Sequence, residues 1–412
     1  MLSVSEAQTI VLADVVLGSV ESVSLDRCLG KTLRQVIRSP SEIPRFNKSL
    51  MDGFAICAED LSSKISEFRV LEMITAGVPS DCVVNSGECA QIMTGAPLPS
   101  GTDAVIPVEQ SELSSDGRSV RLRSDAIPSG TNVMLRGTLM SEGETLLDSG
   151  CEIRPQEIAL LAESGYAEVR VATAPSVAIL ATGDELVAAG EQPGPGQIVN
   201  SNAPMLAAQV ERSGGVPHLL GIALDRHDHL TELVQAGLAH DFLILSGGVS
   251  AGERDLVPAV LAECGVTQKF HKINLKPGKP IWHGVRTNHS GNNTYVFGTP
   301  GNPVSGMVCF ELFIRPALRK FLGLKPDRIP TISVPLSQPH VARRGRPTYH
   351  PARLHWKETG ASVEPVPWKG SSDLRATTSA NCLICFPGED RSFEAGEVVE
   401  VLPWNGTCFE TA

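Results

Sequence analysis

The chain lacks the features of several protein classes. Its 412 residues carry a formal net charge of −11 and show no basic stripe, so the sequence does not favour a nucleic-acid partner. The densest basic cluster, Arg343-Arg344-Gly345-Arg346, is isolated and is typical of a solvated loop. No apolar run is long enough to span a bilayer, and the first residues do not resemble a signal peptide. We therefore expect a cytoplasmic protein with no membrane partner.

Disulfide bonds are not expected either. The ten cysteines are scattered over a long chain, whereas secreted disulfide scaffolds are short and dense in cysteine. Cys382 and Cys385 have the spacing of metal ligands or of a redox pair, but no second pair and no nearby histidine accompanies them. Their context, Asn-Cys-Leu-Ile-Cys-Phe, favours two small side chains in a buried strand.

What is present is a succession of segments with different patterns, long enough for roughly two to four domains. Ser3 and Glu6 predict a capping box at the start of an amphipathic helix. Residues 20–175 carry short alternating runs bounded by turn residues, which predicts mostly β structure with a helix over 154–165. Residues 326–412 return to short strands punctuated by Pro and Gly, which predicts a small barrel or sandwich.

The central segment alternates strands with helices, which predicts a largely parallel sheet covered on both faces. The predicted strands cover residues 177–181, 219–224, 242–245 and 295–297, and the predicted helices cover residues 202–212, 229–238, 254–263 and 304–322. Each strand runs into a loop rich in Gly, Asp, Ser, Thr or Asn. In a parallel sheet these loops share the carboxyl edge, where open α/β sheets bind ligands. We therefore expect this segment to bind an anionic, phosphate-bearing small molecule.

Two glycine-rich loops could bind phosphate through backbone N–H groups at a helix start. They are Gly247-Gly248-Val249-Ser250-Ala251-Gly252 and the loop from Gly298 to Asn302. Neither matches a Walker A motif or the dinucleotide fingerprint, and either alone could be an ordinary turn. Lys276 and Lys279 lie in a stretch stiffened by prolines, which favours an anion anchor over two solubilising lysines.

Carboxylates and phosphates repel each other, so carboxylates close to a phosphate site suggest a bound cation. Mg²⁺ fits, because it binds both carboxylate and phosphate oxygens. Asp52, Glu185, Asp225 and Asp255 lie in glycine-rich or strand-end contexts. Each could instead be a helix cap or turn former, and Asp225 in particular fits a cap. The stretch 225–229 alternates Asp and His like a metal site, but a solvated helix start explains it better.

A serine hydrolase is a competing hypothesis. Gly248-Val249-Ser250-Ala251-Gly252 matches the Gly-x-Ser-x-Gly pattern, and His271 and His283 follow it. Two glycines already separate Ser250 from the strand, so the turn lacks the tightness of a nucleophile elbow.

Seven stretches together identify a resemblance to one family. They are Met51-Asp52-Gly53-Phe54-Ala55, Thr94-Gly95-Ala96, Gly101-Thr102-Asp103-Ala104-Val105, Thr182-Gly183-Asp184-Glu185-Leu186, Ser246-Gly247-Gly248-Val249-Ser250, Lys276-Pro277-Gly278-Lys279-Pro280 and Pro300-Gly301-Asn302-Pro303-Val304-Ser305. The chain resembles the molybdopterin molybdenumtransferases of the MoeA type, which are related to the large domain of gephyrin. The order and spacing of the stretches match from about residue 5 to 405.

The resemblance implies the last step of molybdenum cofactor synthesis. Molybdate enters adenylylated molybdopterin, AMP leaves, and Mg²⁺ assists. The implied catalytic residues are Asp52, Thr94, Glu185, Asp225, Lys276 and Lys279, and the implied metal ligands are Asp52, Glu185 and Asp255. The implied cofactor-binding residues are Thr182, Gly183, Ser246, Gly247, Gly248, Ser250, Pro300, Gly301, Asn302 and Pro303.

The resemblance also implies the architecture. A central open doubly wound α/β domain (176–325) would be flanked by mostly-β N-terminal domains and a small C-terminal β-barrel (326–412). The N-terminal domains would be a discontinuous one (1–45 and 139–175) and an inserted β domain (46–138). Two chains would form a homodimer in which the Asp52 region of one faces the central domain of the other. The adenylyltransferase and acceptor molybdoenzymes are further implied partners.

One departure from the family pattern bears on activity. Thr138-Leu139 follows Arg136-Gly137 where the family has acidic residues, and Glu142 is near but out of register. The alternative is therefore a catalytically weak or inactive molybdopterin-binding scaffold of the same fold.

Overall fold

The computed structural model describes residues 1–249, 256–357 and 360–404. The chain divides into two compact units by its own contacts. The first comprises Met1–Gln35, Ser149–Pro155 and Glu168–Ala412, and the second comprises Val36–Asp148 and Gln156–Ala167. The division into four domains stays a prediction. Within the described residues, no helix is both long and apolar enough to cross a membrane.

The N-terminal part of the chain is mostly β, as predicted. Its elements are α1 (Val4–Asp14), β1 (Val20–Ser24), a 3₁₀ turn (Leu25–Arg27), β2 (Ile37–Arg38), β3 (Lys48–Ser49), β4 (Gly53–Ile56), α2 (Ala58–Ser62), β5 (Glu67–Ile74), β6 (Glu88–Ile92), β7 (Ala104–Pro107), a 3₁₀ turn (Val108–Gln110), β8 (Ser111–Leu113), β9 (Ser119–Leu122), β10 (Val133–Met134), β11 (Thr145–Leu147), α3 (Pro155–Glu163) and β12 (Glu168–Ala172). The capping box of Ser3 and Glu6 is confirmed at the start of α1. The second unit is built on a six-stranded sheet of order β7-β4-β6-β5-β9-β8.

The central segment alternates strands and helices. Its elements are β13 (Ser176–Thr182), β14 (Leu186–Val187), β15 (Ile198–Val199), α4 (Asn202–Arg212), β16 (Val216–Ala223), α5 (His227–Gly237), β17 (Phe242–Ser246), α6 (Val257–Glu263), β18 (Thr267–His271), β19 (Trp282–Thr287), β20 (Asn293–Thr299), α7 (Pro303–Cys309), a π-helical turn (Phe310–Ile314) and α8 (Arg315–Leu322). The helix predicted over 304–322 is therefore continuous but contains a π turn. It ends at Gly323, whose φ of 79° is left-handed.

The central sheet has the strand order β16-β13-β17-β20-β19-β18. The strands β16, β13, β17 and β20 pair in parallel, as predicted. The strands β18 and β19, which no pattern in the sequence predicted, add an antiparallel edge. The sheet is consequently mixed, and its open doubly wound α/β character is confirmed.

Both faces of this sheet are buried. Ile179, Ile244 and Phe297 belong to a core that packs against α1, α4 and α8. Their neighbours Leu180 and Leu245 belong to a separate core with residues of α5 and α6. Successive side chains of a strand point to opposite faces, so burial on both sides explains the near-continuous apolar runs of the sequence.

The C-terminal segment forms a nearly closed barrel-like sheet. Its elements are β21 (Ile332–Pro335), β22 (His340–Ala342), β23 (Thr348–Lys357), β24 (Gly360–Pro365), α9 (Leu374–Thr377), β25 (Cys382–Phe386), β26 (Arg391–Phe393) and β27 (Val398–Pro403). The sheet order is β21-β27-β25-β23-β24, and a bridge from Leu336 to Val363 brings its two edges together. Cys382 and Cys385 lie on β25, as expected of strand residues. No disulfide joins any of the described cysteines.

A histidine in this region should make stability depend on pH. Burial above all, together with the nearby His340 and Lys276, lowers the pKa of His350 to about 4, although a hydrogen bond to the Pro351 carbonyl opposes the shift. The unfolded chain binds a proton near pH 6.5 and the folded chain does not. Stability should therefore fall by up to about 3 kcal/mol as the pH falls from 6.5 to 4.

Urea unfolding at pH 7 and pH 4.5 measures this loss for the native chain and for His350→Gln. The variant should lose less stability on acidification than the native chain, whatever its stability at pH 7. The exposed His289→Gln serves as a control and should behave like the native chain. Equal losses in all three proteins would show that His350 does not contribute.

Candidate functional site

The carboxyl edge of the parallel strands encloses a cavity of about 540 Å³, here called the central cavity. The loop that follows each parallel strand contributes residues to the wall of this cavity. The lining includes Thr182 at the end of β13 with Gly183 and Glu185 after it, Asp225 after β16, Ser246 at the end of β17 with Gly247 and Gly248 after it, and Pro300, Gly301, Asn302 and Pro303 after β20. The structure thus brings together most of the residues predicted for the site. Ser250 and Asp255 lie outside the described residues.

The loop after β17 contains two glycines at positions where a side chain does not fit. Gly247 has a φ of 99°, and a Cβ added there would lie 2.6 Å from the carbonyl oxygen of Thr182. Gly248 has a φ of 62°, and its Cβ would lie 2.6 Å from a methyl group of Val257. Side chains are therefore excluded by both conformation and space. Gly301 approaches Gly247 closely enough that its Cβ would lie 3.8 Å from the Gly247 Cα.

Hydrogen-bonding capacity at the cavity wall is incompletely used. The Asn202 Nδ2 donates to Ser246 Oγ and to the Gly301 carbonyl, each at 2.8 Å, and so ties the two glycine loops together. Within the described residues, the buried Thr182 Oγ1 and Asn202 Oδ1 have no hydrogen-bond partner. Buried polar atoms usually have partners, so this wall is suited to a polar ligand.

Asn202 is a site residue that the sequence did not predict. An asparagine at the start of α4 is indistinguishable from an ordinary helix start in the sequence. Its contacts become visible only when the strand-end loops meet in the folded chain. Asn200 and Ser201, which also line the cavity, were missed for the same reason.

Two exposed carboxylates, Glu185 and Asp225, border the cavity. Glu185 folds back over Gly183, where a Cβ would lie 2.4 Å from its Oε2. The Asp225 N–H donates to Asp184 Oδ1 at 3.0 Å, which fixes the loop after β16 against the loop after β13. Within the described residues, no cluster of three or more His, Cys, Asp or Glu could hold a metal ion. The two carboxylates could supply part of a magnesium shell, since Mg²⁺ completes its shell with water and phosphate oxygens.

The loop before α7 is joined to the C-terminal segment of the first unit. Asn302 Nδ2 donates to Ser371 Oγ at 3.0 Å, and Ser372 Oγ donates to Asn302 Oδ1 at 3.1 Å. The Val304 N–H donates to the Ser371 carbonyl at 3.1 Å. The loop of Ser371 and Ser372 therefore holds one wall of the central cavity, although no sequence signal marked it.

The turn over residues 276–280, here called the lysine turn, is held rigidly. The Lys276 N–H donates to the Pro347 carbonyl at 2.9 Å, and the Tyr349 N–H donates to the Lys276 carbonyl at 2.8 Å. Gly278 has a φ of 112°, and its Cβ would lie 2.7 Å from Cys309 Sγ. Both lysines are exposed. Pro280 lines the central cavity, whereas Lys276 lines another cavity beside Arg343, Arg344 and Arg346, and Lys279 lines neither.

Asp52 and Thr94 form a local pair in the second unit. The N–H and the hydroxyl of Thr94 both donate to Asp52 Oδ1 at 2.7 Å. The Thr94 side chain, followed by its N–H, lowers the pKa of Asp52 below its usual value. Asp52 is therefore an exposed carboxylate that stays ionised at neutral pH.

In the same unit Glu142 and Glu42 line a cavity with Arg136, so carboxylates remain near the turn that precedes Leu139.

The histidines of the two rival hypotheses have partners of their own within the described residues. His271 Nε2 bonds the Val249 carbonyl at 3.0 Å, and the buried His283 bonds the Val296 carbonyl and Asp14. Both histidines thus have hydrogen-bond partners among the described residues, and Ser250 lies outside those residues. In the stretch 225–229, His227 pairs with Glu263 and His229 Nδ1 accepts the Leu224 N–H, which is the arrangement of a helix start rather than of a metal site.

Family models cover almost the whole chain. Residues 2–165 match the MoeA N-terminal region (domain I and II), residues 178–320 match a probable molybdopterin binding domain, and residues 333–404 match the MoeA C-terminal region (domain IV). A relative named molybdopterin molybdenumtransferase, from Staphylococcus epidermidis, is 34% identical over 394 residues, which are 94% of this chain and 92% of the relative. The chain belongs to the molybdopterin molybdenumtransferase (MoeA) family.

Other members of the MoeA family are similar to this chain in sequence and in fold. The molybdopterin molybdenumtransferase of Staphylococcus aureus is 33% identical over 386 residues, covering 92% of this chain and 90% of the relative. A crystal structure of a molybdopterin biosynthesis MoeA protein from Pyrococcus horikosii superposes with a TM-score of 0.83 at 30% identity, covering 98% of this chain and all of that one. The resemblance seen in the sequence is confirmed.

A methyl group at Gly247 should disturb the central cavity. Gly247→Ala adds a clash with the Thr182 carbonyl to the cost of a left-handed φ, whereas Gly196→Ala, with a φ of 82° and nothing within 4 Å, adds only the second. We expect Gly247→Ala to lower the unfolding free energy by about 1–3 kcal/mol more than Gly196→Ala. Chemical denaturation of both variants measures the difference, and equal losses would show that the loop relaxes freely.

Proposed function

We propose that the chain inserts molybdate into adenylylated molybdopterin and releases AMP, the final step of molybdenum cofactor biosynthesis. The observation that best supports this function is the central cavity, where the loops that follow the four parallel strands β13, β16, β17 and β20 meet. A cavity at this edge suits a nucleotide-bearing substrate, because backbone N–H groups and helix starts there attract phosphate. Membership of the MoeA family supports the same conclusion.

The loops after β17 and β20 would hold the phosphates of the substrate. Gly247, Gly248 and Gly301 allow close approach of the phosphates to the backbone, and Asn202 fixes the spacing of the two loops. Thr182 Oγ1 and Asn202 Oδ1 offer further polar contacts. Lys276 and Lys279 would attract molybdate, and the stiff lysine turn limits their freedom.

We propose that a magnesium ion binds beside the phosphates, with Glu185 at the cavity edge as the described carboxylate that supports it. Glu185 would hold it, with Asp52 and Asp255 as the further proposed ligands and Asp225 at the cavity edge. When bound, Mg²⁺ would offset the charge of the phosphates. Glu185 and Asp225 would also orient the water whose oxygen adds to phosphorus as the phosphoanhydride bond breaks and AMP departs. Positioning and charge complementarity suffice, so no covalent enzyme intermediate is needed.

We also propose the assembly and setting that the family implies. Two chains would form a homodimer in the cytoplasm, each dividing into the four domains given above. Asp52 and Thr94 of one chain would complete the site of the other. The adenylyltransferase that makes the substrate and the molybdoenzymes that accept the product would be transient partners.

The transferase is tested by AMP release from adenylylated molybdopterin with Mg²⁺, with and without molybdate. Release should depend on molybdate and should fall on the order of 10²-fold in Asp52→Ala, Lys279→Ala and Glu185→Gln. Glu191→Gln changes an exposed carboxylate in the next loop, beyond β14, which accepts the Ala188 N–H in a turn, and it should retain the native rate. Tight nucleotide binding without release under any condition would instead favour the inactive scaffold.

A shared site is tested by mixing variants. After subunit exchange between Asp52→Ala and Lys279→Ala, mixed dimers hold one intact and one doubly altered site. Activity should return to roughly a quarter of the native rate in a random mixture, since half of the dimers are mixed. Sedimentation would verify that dimers form. No recovery in a mixture shown to exchange would contradict a site shared between subunits.

A further inference from the structure

The helix α7 connects two parts of the proposed active site. It begins at Pro303, which lines the central cavity, and its last residue is Cys309. Its seven residues, at about 1.5 Å per residue, make a helix roughly 10 Å long. Most of these residues are buried, so the helix is fixed in the core. A helix held in this way sets the distance between the groups that contact its two ends.

The far end of α7 contacts the lysine turn through one thiol. Cys309 is fully buried, and its Sγ donates to the Gly278 carbonyl at 3.7 Å. Gly278 leaves room for the sulfur, since a Cβ at this position would lie 2.7 Å from it. The same carbonyl accepts the Ile281 N–H at 3.1 Å, which closes the turn. The sulfur therefore contacts the turn at the carbonyl that also closes it.

Burial keeps the thiol in the form that can donate. It raises the pKa of the Cys309 thiol well above its ordinary value, so the sulfur is uncharged and carries its hydrogen at neutral pH. Leu275 and Ile281, on either side of the turn, belong to the same apolar core as Cys309. The turn is thus attached to α7 by an uncharged contact that added salt does not screen.

The two lysines of the turn depend on this contact for their position. Both side chains are exposed, and among the described residues neither ammonium group forms an ion pair. The backbone of the turn consequently decides where Lys276 and Lys279 project. A displacement of about 1 Å in a group that holds a reactant can cost on the order of 10²-fold in rate.

We propose that Cys309 is a positioning residue for molybdate. Its thiol fixes the lysine turn at one end of α7, at a set distance from the glycine-rich loop at the other end. The inference rests on the proposed function, in which the glycine-rich loops hold the phosphates and Lys276 and Lys279 attract molybdate. One buried helix thereby holds the two reactants at the spacing that their reaction needs.

AMP release from adenylylated molybdopterin, measured over a range of molybdate concentrations, tests this role. Cys309→Ala removes the sulfur, so the KM for molybdate should rise about tenfold while the KM for the nucleotide substrate changes less than about twofold. Cys309→Ser keeps a donor for the Gly278 carbonyl and should recover most of the native KM. If Cys309→Ala does not fold, Cys309→Val replaces it, because its second γ carbon displaces the turn and should raise the same KM.

Cys382→Ala is the matched control. Cys382 is also a fully buried thiol of the first unit that donates to a carbonyl, that of Ala352, but it lies in the core of the C-terminal sheet. This variant should leave both KM values unchanged, whatever stability it loses. Hydrogen exchange adds a measurement that needs no activity. The Ile281 N–H should exchange faster in Cys309→Ala than in the native chain or in Cys382→Ala.

The outcomes separate this role from the proposed function. An unchanged KM for molybdate in Cys309→Ala, or an equal rise in Cys382→Ala, overturns the positioning role and leaves the transferase intact. Unaltered exchange of the Ile281 N–H in Cys309→Ala overturns it as well. If the native chain itself releases no AMP with molybdate, the proposed function fails and the positioning role fails with it.

Discussion

Burial of both faces of β13, β17 and β20 is the constraint on which the first unit depends. Ile179 and Leu180 point into different cores, and so do Ile244 and Leu245. With both faces covered by helices, polar chemistry has room only at the two edges of the sheet. The central cavity forms at the carboxyl edge, and another cavity, lined by residues that include Arg212, Arg315 and Arg319, forms at the amino edge. The position of both cavities therefore follows from where the apolar side chains must go.

The sequence predicted the parts of this arrangement that depend on local patterns. The apolar runs of β13 and β17, the limits of α4 and the left-handed Gly323 are all local features, and the structure confirms them. The loops after the parallel strands were placed at one edge by topology alone. The family motifs added Asp52 and Lys279, which do not line the central cavity, to the predicted site residues. Their roles stay predictions.

The parts that could not be predicted depend on contacts between distant segments. The strands β18 and β19 carry Lys, His, Arg and Thr and lack a clear alternation, so they are defined by the pairing of β19 with β20 and of β18 with β19. The role of Asn202 requires Ser246 and Gly301 to be neighbours. The pairing of Arg212 with the buried Glu311 unites residues 99 positions apart, and no spacing in the sequence marks it.

The π-helical turn at Phe310–Ile314 sets the direction in which the last arginines point. A π turn holds one residue more than an α turn, so everything after it is rotated about the axis by roughly 100° relative to an uninterrupted α-helix. Pro303 at one end lines the central cavity, while Arg315 and Arg319 beyond the π turn line the cavity at the amino edge of the sheet. Deleting a single residue there would swing both arginines away from their cavity and leave Pro303 in place. The one extra residue thus lets a single continuous helix, from α7 through α8, contribute side chains to two cavities that lie in different directions from its axis.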